Sequence, residues 1–176
     1  MSGWYEENGI IRFSVTSDGT TGEAWAARLE AKGLWLDGGA KLLLGSSHFQ
    51  PTKGITTRIA VLKGLLFGDD ERANRHVCEY AEKSRFVTPR LEVACLIRDK
   101  FSDEEMKSMG LSRIVVMHDP FRDHDQLFVR LMVDRVRTFF GYGAGHWLLA
   151  ERGGYSRDEW PPETGFAFED AISSQP

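Results

Sequence analysis

The sequence predicts an α+β fold, with a mixed or antiparallel sheet of about four to five strands and about three to four helices. Three observations carry this. Alternating apolar and polar residues mark strands at residues 10–16 and again from Gly54, capped amphipathic stretches mark helices between them, and the chain turns β-rich toward its end. Strand and helix signals alternate only loosely, which disfavours a doubly wound parallel sheet.

Ile10-Ile11-Arg12-Phe13-Ser14-Val15-Thr16 has the period-two pattern and β-branched content of a half-buried strand. After the turn Ser17-Asp18-Gly19, Thr20 as N-cap with Glu23 three residues on reads as a capping box. Trp25 and Leu29 share one face of the helix it opens, and Gly33 ends that helix. Leu34-Trp35-Leu36 suits either a short strand or the hydrophobic contact that follows such a cap. Asp37 caps a short helix through Leu42-Leu43-Leu44. From Gly54, Ile55, Thr57, Ile59 and Val61 alternate against Thr56, Arg58, Ala60 and Leu62, predicting a central strand.

Asp69 or Asp70 is the expected cap of a helix with Ala73, Val77, Tyr80 and Ala81 on one stripe. Thr88-Pro89 reads as N-cap plus N1 proline of the next helix, which carries Ala94, Ile97 and Phe101. Ser102-Asp103-Glu104-Glu105 is a second capping box, with Gly110 as the stop. Ile114-Val115-Val116-Met117 is a strand buried on both faces. Phe128, Met132, Val136 and Phe139 or Phe140 follow helical spacing, so residues 127–140 match a helix better than a strand, with both open over 126–145. His146 to Ala150 and Phe166-Ala167-Phe168 are the last strand candidates. The expected organisation is an N-terminal extension at residues 1–9, a single α+β domain at residues 10–170 and a disordered tail at residues 171–176.

Apolar residues make up 41 % of the 176-residue chain and charged residues 27 %, enough for a packed core and far from disordered compositions. A net charge of −4, with 26 acidic residues mixed among 22 basic ones, disfavours nonspecific nucleic-acid binding, which needs a clustered basic surface. Only Cys78 and Cys95 are present, without a C-x-x-C motif, so free thiols are expected. The first residues are acidic with no apolar run behind them, and no stretch approaches the roughly 20 apolar residues that span a bilayer. The expectation is a cytoplasmic protein with no membrane association.

His118-Asp119-Pro120-Phe121-Arg122-Asp123-His124-Asp125 places two His-Asp pairs directly after a buried strand. Imidazoles and carboxylates at a strand's carboxyl end suit a divalent metal, so His118, Asp119, His124 and Asp125 form the candidate ligand set of a metal-dependent hydrolase, with His146 as a further imidazole. The same residues suit a turn whose aspartates make local hydrogen bonds. Other chemistry has less support. The loop from Ser17 to Gly22 lacks a P-loop lysine, Cys95 has no histidine placed near it, and Ser46-Ser47-His48 lies outside any G-x-S-x-G elbow. Trp147, Tyr155 and Trp160 are candidate anchors for a protein partner, or core aromatics of an irregular segment. Arg130, Arg135 and Arg137 offer a basic face for a specific nucleic-acid structure.

Four segments, Ser17-Asp18-Gly19-Thr20-Thr21-Gly22-Glu23-Ala24-Trp25, Ile59-Ala60-Val61-Leu62-Lys63-Gly64, Glu92-Val93-Ala94-Cys95-Leu96-Ile97-Arg98 and Gly165-Phe166-Ala167-Phe168, resemble a group of small uncharacterised bacterial proteins. The resemblance runs from about residue 10 to residue 169, departs from the group's pattern at residues 126–145, and implies no activity or catalytic residues. Without a complete catalytic motif, the expected function is a protein-binding or regulatory module, with the metal-dependent hydrolase as the alternative.

Overall fold

The computed structural model describes residues 3–122, 128–135, 147–153 and 160–171. The elements are, in order, β1 (Trp4–Glu7), β2 (Ile10–Asp18), α1 (Gly22–Ala31), β3 (Trp35–Leu36), α2 (Gly38–Leu44), β4 (Lys53–Lys63) and α3 (Asn74–Lys83). They continue with β5 (Phe86–Val87), α4 (Val93–Lys100), α5 (Asp103–Ser108), β6 (Arg113–Val116), β7 (Phe121–Arg122), β8 (Phe128–Asp134), β9 (Trp147–Gly153) and β10 (Thr164–Asp170). The class is α+β. One mixed sheet runs β1-β2-β4-β10-β6-β8-β9-β3, with β5 added to β10 and β7 to β8.

The last strand lies in the middle of this order. β10 pairs antiparallel with β4 and parallel with β6, so two segments about 50 residues apart in sequence share their carboxyl ends. Side chains of Ile11, Phe13, Ile59, Ile114, Val116, Leu131 and Val133 pack on one face with Trp25, Leu29, Leu43, Cys95, Ile97 and Met106 from the helices. On the opposite face Leu62, Phe166, Phe168, Val115 and Met132 pack with Phe67, Val77, Ala81 and Trp160. Burial on both faces explains why β6 reads as an uninterrupted apolar run.

Several expectations need correction. Among the described residues there are ten strand segments and five α-helices, more than the expected four to five and three to four: β3, β5 and β7 have two residues each, too few to show a period, β1 lies in the expected extension, and β8 replaces an expected helix. The expected N-terminal extension contains β1, which pairs antiparallel with β2. Residues 128–134 form a strand, since β6 and β9 flank it and Leu131-Met132-Val133 is buried on alternate faces. A Phe128 to Met132 spacing of four fits both periods, and the tertiary pairing decides between them. Residues 172–176 lie outside the described residues.

Helix starts shift for local reasons. The cap of α1 is Thr21, whose hydroxyl accepts the Ala24 N–H at 3.3 Å, because Thr20 is engaged with Asp18 and Arg28. The Asp18 carboxyl, bonded first by the Thr20 hydroxyl and then by Arg28, is held down at about 2. Asp69–Glu71 form a 3-10 turn, so α3 begins only at Asn74. Residues 88–92 precede α4 as a loop. Asp37 caps α2 and Ser102 with Glu105 boxes α5, both as expected. Gly110, at φ +74°, follows the end of α5 as the expected stop.

Candidate functional site

At the carboxyl end of β6 the chain leaves the sheet as His118-Asp119-Pro120 and enters β7 at Phe121. Facing this turn are the loop before α4, residues 88–91, and the loop after α2, from which His48 and Gln50 project. Together they enclose a cleft of about 610 Å³, within the size range of small-ligand and side-chain pockets. All three loops carry an X-Pro dipeptide, Gln50-Pro51, Thr88-Pro89 and Asp119-Pro120, which bars helix at the preceding residue.

His118 continues the period of Ile114 and Val116 and points into the helix-bearing core, 3 % exposed. Its Nε2 accepts the Leu131 N–H at 2.9 Å, so Nδ1 carries the proton and donates to the Asp119 carbonyl at 2.7 Å. Arg130 donates from Nε to the His118 carbonyl at 3.1 Å. Burial pushes the imidazole down to about 4, with smaller opposing effects from the Asp119 carbonyl and carboxylate and a further lowering by Arg130. Both ring nitrogens are occupied, so His118 has no lone pair to offer a metal unless it gives up its bond to Leu131.

A second polar group supports the cleft from behind. Glu92, 3 % exposed, accepts the Thr52 N–H at 3.0 Å, the Thr52 hydroxyl, and Nε of Arg90 at 3.0 Å. Arg90 also donates from Nη2 to the Thr57 hydroxyl at 3.0 Å, while Glu169 accepts its backbone N–H at 3.4 Å and approaches Nη1 at 4.0 Å. This guanidinium lies between two carboxylates and ties the α4 loop to β4 and β10. The rim differs. The side chains of His48, Gln50 and Asp119 are exposed, and among the described residues none of them makes a hydrogen bond or ion pair. His48 rests on Phe121, ring centres 4.0 Å apart and planes at 82°.

Of the proposed metal ligands, the structure brings His118 and Asp119 to the cleft wall, while His124 and Asp125 lie outside the described residues, as does His146. Among the described residues no group of three or more His, Cys, Asp or Glu side chains converges as a metal site. Of the two readings open for Trp160, partner anchor or core aromatic, the structure shows the second. Trp160 is 8 % exposed, packs at 6.2 Å from Phe166, and donates its indole N–H to Asn74 at 2.9 Å. Trp147 starts β9, paired with Trp35 and Asp134, and Tyr155 lies outside the described residues. Arg135 donates to the Leu111 carbonyl at 2.6 Å and Arg130 to His118, so both are turned to the fold, and Arg137 lies outside the described residues.

Both cysteines are free thiols. Burial raises the Cys95 thiol far above its ordinary value, leaving no nucleophilic thiolate there. In a smaller hollow of about 350 Å³ between α4 and α5, Lys32 pairs with Asp99 and Arg98 with Asp103. Among the described residues no helix is long and apolar enough to cross a membrane. His48, Gln50, Arg90 and Phe121 were not legible as a site in the sequence, where the recurring X-Pro breakers were the only shared signal. Neither a family model, nor a curated protein, nor a solved structure matches this chain significantly.

Proposed function

We propose that the protein is a protein-binding module, acting in the cytoplasm, whose binding surface is the cleft at the end of β6. The observation that supports this reading is the division of labour among its polar groups. Glu92 and Arg90 are consumed in tying the loop before α4 to Thr52, β4 and β10, and His118 in tying its own turn to β8, whereas His48, Gln50 and Asp119 stand exposed on the rim with no described partner. A rigid frame with uncommitted rim groups suits recognition, because little ordering cost remains when a ligand arrives. Apolar surface from Leu91, Pro120 and Phe121 adds a complement for a peptide side chain. The composition, acidic overall with two free cysteines, supports a reducing compartment.

The test is a titration of isotope-labelled protein with a library of short peptides, following backbone amide resonances. A subset of peptides is expected to shift residues 48–50, 88–91 and 118–121 as one contiguous group. Shifts scattered over the molecule, no shift at millimolar peptide, or turnover of a generic ester or phosphoester by the purified protein would overturn the reading.

A further inference from the structure

Resting on the peptide-binding reading above, we infer that the cleft receives the side chain of a lysine or arginine from the partner segment, with Asp119 as its counter-ion. Among the described residues that line the cleft, two carry formal charge, Arg90 and Asp119. Arg90 is already compensated, by Glu92 at 3.0 Å and by Glu169 at 4.0 Å, so it contributes no attraction for an anion. His118 stays neutral and adds no positive charge. Asp119 is exposed and forms no ion pair with a described residue. Arg130 lies within electrostatic reach of Asp119 but forms no ion pair with it, being directed through Nε to the His118 carbonyl.

Among the described lining residues, the charge left on the cleft wall is therefore negative. Around it, Leu91, Pro120, Phe121 and the His48 ring offer apolar and aromatic surface, which matches the alkyl stem and cationic head of lysine or arginine. A chain of net charge −4 also favours encounter with a basic segment.

The experiment uses the full chain with four blocked tripeptides, glycine-X-glycine with X as lysine, arginine, norleucine or glutamate. They are titrated against the wild type, Asp119→Asn, and Glu104→Gln as a remote control on exposed α5. The lysine or arginine peptide is expected to shift residues 48–50, 88–91 and 118–121 and to bind roughly tenfold more tightly than norleucine, the scale of one charge-assisted hydrogen bond. Asp119→Asn is expected to remove that advantage, and Glu104→Gln to leave it. Equal binding of norleucine, preference for glutamate, no binding by either basic peptide, or full binding by Asp119→Asn overturns the inference. Library peptides without a basic residue that still shift the cleft would preserve the binding reading while overturning only the charge selection.

Discussion

His118 and Leu131 face each other across the β6 to β8 pairing, and the 2.9 Å bond from the Leu131 N–H to Nε2 fixes the imidazole as the neutral Nδ1–H tautomer. A side chain whose position suggested chemistry is instead a backbone-satisfying element of the core. Its consequence is a pH dependence of stability. In the unfolded chain this histidine titrates near 6.5, in the folded protein at about 4, so the unfolded state takes up the proton first. The contribution is complete above pH 6.5, declines as pH falls toward 4 and is level below, a total of about 3 kcal/mol. Urea unfolding from pH 7 to 4 should show this decline in the wild type beyond that of His118→Gln, because the difference cancels the carboxylates common to both. Parallel profiles for the two proteins would refute it.

Glu92 should be the residue of the cleft frame whose loss is felt most. Glu92→Gln keeps the shape but removes the charge that faces Arg90 and replaces one acceptor of the Thr52 pair by a donor. A loss of about 1–3 kcal/mol follows from leaving a buried donor without its acceptor. Denaturant unfolding of Glu92→Gln and Arg90→Gln, singly and together, checks it. The double variant should lose less than the sum, since the two groups share one interaction.

The elements that carry their own local signal were legible in the sequence. Ile10 to Thr16 and Ile55 to Leu62 show a period of two, Ile114 to Met117 shows the unbroken apolar run of a strand buried on both faces, and Asp37 and Ser102 show their caps because capping is a four-residue event. The place of β10 was not legible. Nothing within Thr164 to Asp170 encodes insertion between β4 and β6, yet this pairing is what brings Glu169 to the Arg90 loop. The cleft inherits that non-locality, since its loops are separated by about 40 and 30 residues. The exposed charge of Asp119 could be read in advance, but the pinning of His118 depends on a strand, β8, whose period was ambiguous.

Trp160 should behave as a core residue. Trp160→Phe removes the indole N–H that Asn74 accepts while retaining an aromatic ring beside Phe166, for a loss of about 1 kcal/mol. Trp160→Ala should cost about 3–5 kcal/mol by opening a cavity. If thermal unfolding of Trp160→Ala matches the wild type, the residue does not plug the core.

Gly22 sets how closely α1 and α2 approach. A Cβ built there would lie 1.8 Å from the carbonyl oxygen of Leu44, with that carbonyl's carbon at 2.6 Å, and both are backbone atoms. No rotamer change relieves such a contact, so Gly22→Ala must move one helix end against the other. The propensity gain of alanine at an early helical position is below about 1 kcal/mol, too small to offset displacement of a packed element, which costs about 1–3 kcal/mol or more. Gly38 is the matched control, because it also lies in the first turn of a helix and a Cβ there meets nothing within 4 Å. Gly38→Ala should therefore be neutral or slightly stabilising in thermal unfolding, and Gly22→Ala clearly destabilising. Equal melting temperatures for the two variants would show that the α1 to α2 contact yields more readily than its backbone geometry implies.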